Sequence, residues 1–144
     1  MFFSRTVSCF LVLAILTIGM STVRAEEAKQ DIPFPKIAKA VIAKVMGRDP
    51  VPMKVKEHKD PGVYHVSYVR ENDKTKWACL VKFEGNVVIW ATAGSPSAPN
   101  VIGRWRDHSN DGVLTYEIKG DNVKITEKYG DGSQDEITFS LSTL

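Results

Sequence analysis

Residues 113–141, VLTYEIKGDNVKITEKYGDGSQDEITFSL, decide the fold. Leu114, Tyr116 and Ile118 recur at every second position, Gly120-Asp121 breaks the run, Val123 and Ile125 resume it, Gly130-Asp131-Gly132-Ser133 breaks it again, and Ile137, Phe139 and Leu141 finish. A period of two is that of half-buried strands, because successive side chains of a strand point to opposite faces. Turns this short force each strand to run antiparallel to the one before it, since a parallel pair needs a crossover of a dozen or more residues.

The same pattern extends towards the N-terminus. Tyr64, Val66 and Tyr68 alternate with His65, Ser67 and Val69; Trp77, Cys79, Val81 and Phe83 alternate with Ala78, Leu80, Lys82 and Glu84. Glu71-Asn72-Asp73-Lys74 and Gly85-Asn86 have hairpin-turn composition, and Val87-Val88-Ile89-Trp90 follows the second. Beyond the loop Ser95-Pro96-Ser97-Ala98-Pro99-Asn100 a further strand is expected from Val101, ended by Asn110-Asp111-Gly112.

Ahead of the strands, Ile37, Ala38, Val41, Ile42, Val45 and Met46 recur at helical spacing, with Lys36, Lys39 and Lys44 on the opposite side and Gly47 as the stop. A short cationic helix could lie on an anionic membrane. Without an aromatic on this apolar stripe, packing on its own sheet is the better reading. The fold class is therefore α+β: one N-terminal amphipathic helix, then an antiparallel meander of six to seven strands, as a strongly curved sheet or a small barrel.

The first 25 residues read differently. Arg5 precedes an apolar run from Val7 to Ile18, and Val23-Arg24-Ala25 supplies a small-residue ending, the order of a cleavable secretory signal. The run is shorter than the roughly 20 apolar residues a spanning helix needs. Cleavage after Ala25 is expected, followed by a flexible mature N-terminus over 26–35 and a single domain over 36–144. That places the protein in the periplasm or outside the cell, with no membrane span after cleavage.

The chain has 144 residues and a formal charge of +2, from 19 Lys and Arg against 17 Asp and Glu. Arg5 and Arg24 account for that excess, so the mature chain is neutral, which removes the general electrostatic argument for nucleic acid. Charge is nevertheless uneven: residues 109–144 hold three lysines against seven acids, a balance of −4, and residues 26–108 carry the opposing +4. Either two differently charged regions result, or the asymmetry vanishes as strands interleave in space.

Arg104-Trp105-Arg106-Asp107-His108 is the densest candidate site. In an extended strand Arg104, Arg106 and His108 share one face and Trp105 takes the other; two guanidiniums and an imidazole suit an anion, a carboxylate or phosphate or an acidic partner surface. The competing reading is a core Trp105 beneath a solvated face whose arginines are balanced by nearby acids. Trp90 joins the ligand-binding candidates, being one of the strand aromatics (with Tyr64, Tyr68, Trp77, Trp105, Tyr116 and Tyr129) that a curved sheet could gather around a ligand; ordinary core packing is the alternative.

Other chemistry finds little support. Cys79 alternates with apolar neighbours, so a buried, inert thiol is expected, and as the mature chain's only cysteine it forms no internal disulfide. His58, His65 and His108 lack metal-ligand spacing; Asp131, Ser133 and Asp135 lack the glycine and the terminal Glu of a calcium loop. No metal and no cofactor are expected. Neither a Gly-x-Ser-x-Gly elbow nor a phosphate loop occurs. The sequence thus points to a non-enzymatic binding module for a protein or small anionic ligand. An accessory subunit of an envelope complex, docking through open sheet edges, is an alternative; a small hydrolase assembling His65, His108 and Asp107 in space is another.

Overall fold

A computed structural model describes residues 31–144; the expected signal peptide and the start of the mature chain lie outside them. Helix α1, Phe34–Met46, is followed by seven strands: β1 Lys54–Glu57, β2 Val63–Val69, β3 Lys76–Glu84, β4 Val87–Gly94, β5 Val113–Lys119, β6 Asn122–Lys128 and β7 Gln134–Ser140, with a closing 3-10 turn at Leu141–Thr143. The strands pair in chain order as one antiparallel sheet, β1 and β7 forming its two edges. The fold is α+β, a helix and a seven-stranded meander, and the sheet is not closed into a barrel.

Two differences from the sequence reading matter. The strand expected from Val101 does not form, and the seventh strand is instead β1, whose run Lys54-Val55-Lys56-Glu57 has too little apolar alternation to be read as one. The helix begins at Phe34. Pro35 fits its first turn, where its missing N–H would lack a partner anyway.

At the other end Gly47 adopts φ +60°, and the amides of Gly47 and Arg48 donate to the carbonyls of Lys44 and Ala43. Only glycine takes this left-handed position without strain.

The helix lies on one face of the sheet, against β1, β2, β3 and β6. Ile37, Ala38, Val41 and Ile42 are fully buried there against Val66, Val81, Val123 and Ile125. Each buried aliphatic side chain is worth about 1.5–3 kcal/mol, so this interface is the main source of stability. Phe34 adds an aromatic cap over one end of the interface, its ring 6.3, 4.7 and 6.4 Å from those of Tyr64, Phe83 and Tyr116. Cys79 is buried on the same side, and burial pushes its thiol up to about 12.

Candidate functional site

The sheet changes character between β4 and β5. Every other strand pair runs the full length of its shorter member, but β4 and β5 pair only at Val87↔Thr115 and Val88↔Leu114. Past Val88 the two strands part, and the loop 95–112 runs beside β4 in place of β5.

Two backbone bonds tie that loop down: the Gly103 amide donates to the Thr92 carbonyl and the Arg106 amide to the Trp90 carbonyl, each at 2.8 Å. Three residues of loop against two of strand is not a ladder register, which is why no strand forms around Val101. The approach is also close. A Cβ on Gly103 would lie 2.3 Å from Thr92 Oγ1, so a side chain here would lift the loop.

Asp111 anchors the far end of this loop. Its carboxylate receives both arms of the Arg104 guanidinium, Nη1 to Oδ2 and Nη2 to Oδ1, each at 2.7 Å, and accepts the His108 amide at 3.0 Å. Arg106 Nη1 stands 3.8 Å from Oδ1, an ion pair rather than a hydrogen bond. The Arg104 fork holds the Asp111 carboxyl well below the usual carboxylate range, with the His108 amide and the charge of Arg106 adding to it. In return Asp111 raises Arg104 above its ordinary value. Both arginines stay largely in solvent, with side chains 56% and 41% exposed against 12% for Asp111.

The four sequence candidates are thus differently employed. Arg104 is committed to Asp111 through its planar fork. Arg106 lies over Trp90, its guanidinium carbon 5.4 Å from the ring centre. His108 is exposed, its Nδ1 3.4 Å from Ser109 Oγ. Trp90 is half-buried, packed on the core side of β4 opposite Val81. Trp105 lies beneath Lys82, whose ammonium is 4.9 Å from its ring centre, so Lys82, and not the core, covers it.

Where the strands part, a notch of about 340 Å³ opens. Arg106, Asp107, His108 and Asp111 form one wall, and Glu84 with the Val87–Ile89 stretch forms another. His65 is not among its lining residues; it sits on β2 beside Lys56, where burial first, then Lys56 and His58, lower its pKa. The His65, His108 and Asp107 arrangement that hydrolysis would need is not assembled at this notch. Nor do the aromatics gather around a ligand space: Tyr64, Phe83 and Tyr116 pack on Phe34 and one another, at 6.0 and 5.6 Å for the pairs that Phe83 makes.

Asp111 is the residue that sequence reasoning missed as a functional element. Asn110-Asp111-Gly112 reads as a plain turn, and nothing in a seven-residue separation announces a bidentate pair with Arg104. Among the described residues no group of three or more His, Cys, Asp or Glu is placed to hold a metal ion, and no helix is long and apolar enough to cross a membrane. Comparison with protein-family models, with curated proteins and with solved structures finds no match to this chain.

Proposed function

We propose that this chain is an exported, non-enzymatic binding module, periplasmic or secreted, whose ligand is a small carboxylate-bearing anion seated in the notch between β4 and β5. The observation that carries the reading is the division of labour between the two arginines. Asp111 consumes the fork of Arg104 and fixes the loop, which leaves Arg106 on the notch wall, braced against Trp90 and without a hydrogen-bonded acid. A guanidinium held on an aromatic ring has lost little freedom that binding would otherwise remove, and its remaining donors match a carboxylate. In this reading the sheet bends around α1, consistent with one helix meeting both β1–β3 and β6.

The test is a titration of the purified protein with acetate, succinate and citrate, followed through the His108 ring resonances. Arg106→Ala should weaken binding about tenfold or more, the scale of a charge-assisted hydrogen bond. Equal affinity in Arg106→Ala would remove the site. For export, the mass of the protein recovered from its cell should begin at Glu26, and a mass retaining Met1 would overturn it.

A second reading, an accessory subunit docked through a sheet edge, is favoured by β7. This edge is seven residues long with neither Lys nor Pro, its charges Asp135 and Glu136 lie at one end, and Ile137 beside them is 41% exposed. An exposed edge strand is a surface to which another chain can add. A partner captured by the wild type and lost in Ile137→Lys, with anion binding intact, would select this reading over the first.

A further inference from the structure

The side of the sheet away from the helix holds a second, larger concavity that owes nothing to the notch. Register places Lys54 opposite Ser67 on the face of the sheet away from the helix. Neighbouring rows set Lys56 opposite His65 and Val69 opposite Lys76. A trough-like concavity of about 450 Å³ lies there, walled by Lys54, Lys74, Lys76 and Glu71 with Ser67 and the apolar Pro52, Tyr68 and Val69.

Among the described residues Lys54, Lys56, Lys74 and Lys76 make no salt bridge, a condition they share with Lys36, Lys39, Lys59 and Lys128. Asp73, in the same turn as Lys74, is taken by Arg70 at 3.3 Å and by the Thr75 hydroxyl at 2.6 Å. Glu71 is therefore the one acid on the trough wall, facing three ammonium groups.

Packing does not account for the arrangement, since all four side chains are exposed. His65, beside Lys56, has its pKa lowered by burial and then by Lys56 and His58, in keeping with a positive local potential.

Three ammonium groups around one concavity suit compact tetrahedral oxyanions, which a point-charge ammonium accepts from many directions. A planar carboxylate is better matched by a guanidinium fork. We propose that this trough binds a ligand carrying two or more phosphate groups, free in solution or presented as lipid headgroups.

The experiment uses the protein as purified from its expressing cell. Sodium tripolyphosphate is titrated calorimetrically at low ionic strength, and flotation is measured with vesicles of phosphatidylglycerol in phosphatidylcholine. The trough variant Lys54→Gln/Lys76→Gln is compared with a charge-matched control, Lys119→Gln/Lys128→Gln, on the other half of the sheet. All four lysines are exposed, and unchanged thermal unfolding verifies that both variants fold.

Binding of either probe that falls about tenfold or more in the trough variant, and less than about twofold in the control, supports the site. Tripolyphosphate alone identifies a soluble ligand, and vesicle binding that tripolyphosphate displaces identifies a headgroup. Equal losses in the two variants would show only non-specific attraction and overturn the proposal, as would absence of binding to both probes. Arg106→Ala should leave tripolyphosphate affinity unchanged, so failure at the notch and failure at the trough are read separately.

Discussion

The two halves of the sheet, β1–β4 and β5–β7, are each laced by long antiparallel ladders, yet they meet across only two residue pairs. Something other than backbone pairing must hold them together. The helix does part of this, touching β1–β3 on one side and β6 on the other. Ion pairs do another part, and they follow a rule. Lys44 on the helix pairs with Glu127 on β6 and Asp135 on β7, and Arg104 and Arg106 pair with Asp111 within the loop 95–112 that joins the halves; each has its cation in residues 26–108 and its acid in 109–144. The +4 and −4 stretches of the mature sequence do not alternate strand by strand, because the meander keeps the strands in chain order, and these ion pairs join them where they meet.

The most damaging way to break the seam is through the helix. Ile42→Ala removes a fully buried side chain and should cost about 3 kcal/mol, the usual range for such truncations being 2–5. If the helix is the common core of both halves, Cys79 labelling and amide exchange in β6 should report one shared unfolding transition. Cys79 is a useful reporter because burial pushes its thiol up to about 12, so it reacts only on opening. Labelling of Cys79 while β6 amides stay protected would show the halves to be independent.

Lys44→Met should have the next largest effect. The Lys44 side chain is 5% exposed, 3.0 Å from Glu127 and 3.2 Å from the more exposed Asp135. Losing it strands a partly buried carboxylate; because solvent reaches Asp135, the cost should be about 2 kcal/mol, below the 3–5 of a fully buried pair. Glu127→Gln in the same chain should recover part of that loss. Burial alone would lower the pKa of Lys44, but the two carboxylates outweigh it and raise it. A raised folded pKa stabilises fully below the ordinary lysine value of about 10.4 and loses that contribution as pH rises through the folded value. The gap between wild type and variant, measured by denaturant titration, should therefore be flat through neutral pH and close only in strong alkali.

The ladders of both halves could be read from sequence because hairpin chemistry and alternation are local. Gly85-Asn86, Gly120-Asp121 and the Gly130–Ser133 turn each lie where the chain reverses. What could not be read is whatever depends on two segments meeting. Val101-Ile102 has strand composition, but Gly103 must pass against Thr92 and the loop meets β4 out of register, so no ladder forms. Conversely Lys54–Glu57 is strand only because β2 offers an edge to pair with. The candidate site shows the same limit: Arg104 and Arg106 look equivalent in the sequence, and only the position of Asp111 separates a bidentate clasp from a guanidinium that makes just a longer ion pair.

The mildest test of the seam addresses that clasp. Asp111→Asn keeps the shape but removes the charge that both arginines face, leaving Arg104 with a neutral partner and the loop with weaker anchorage. Global stability should hardly move, since surface pairs contribute little. Exchange of the His108 amide, bonded to the Asp111 carboxylate in the wild type, should accelerate. The pH dependence gives a sharper distinction. A carboxyl depressed in the folded state stabilises above its unfolded pKa of about 3.9 and loses the contribution only as pH falls through its lower folded value. The difference in His108 exchange between wild type and variant should thus persist down to pH 4, where an ordinary aspartate is already titrating, and vanish in stronger acid. A difference that disappeared near pH 4 would mean that Arg104 does not grip Asp111 in solution, and the seam would then rest on the helix and Lys44 alone.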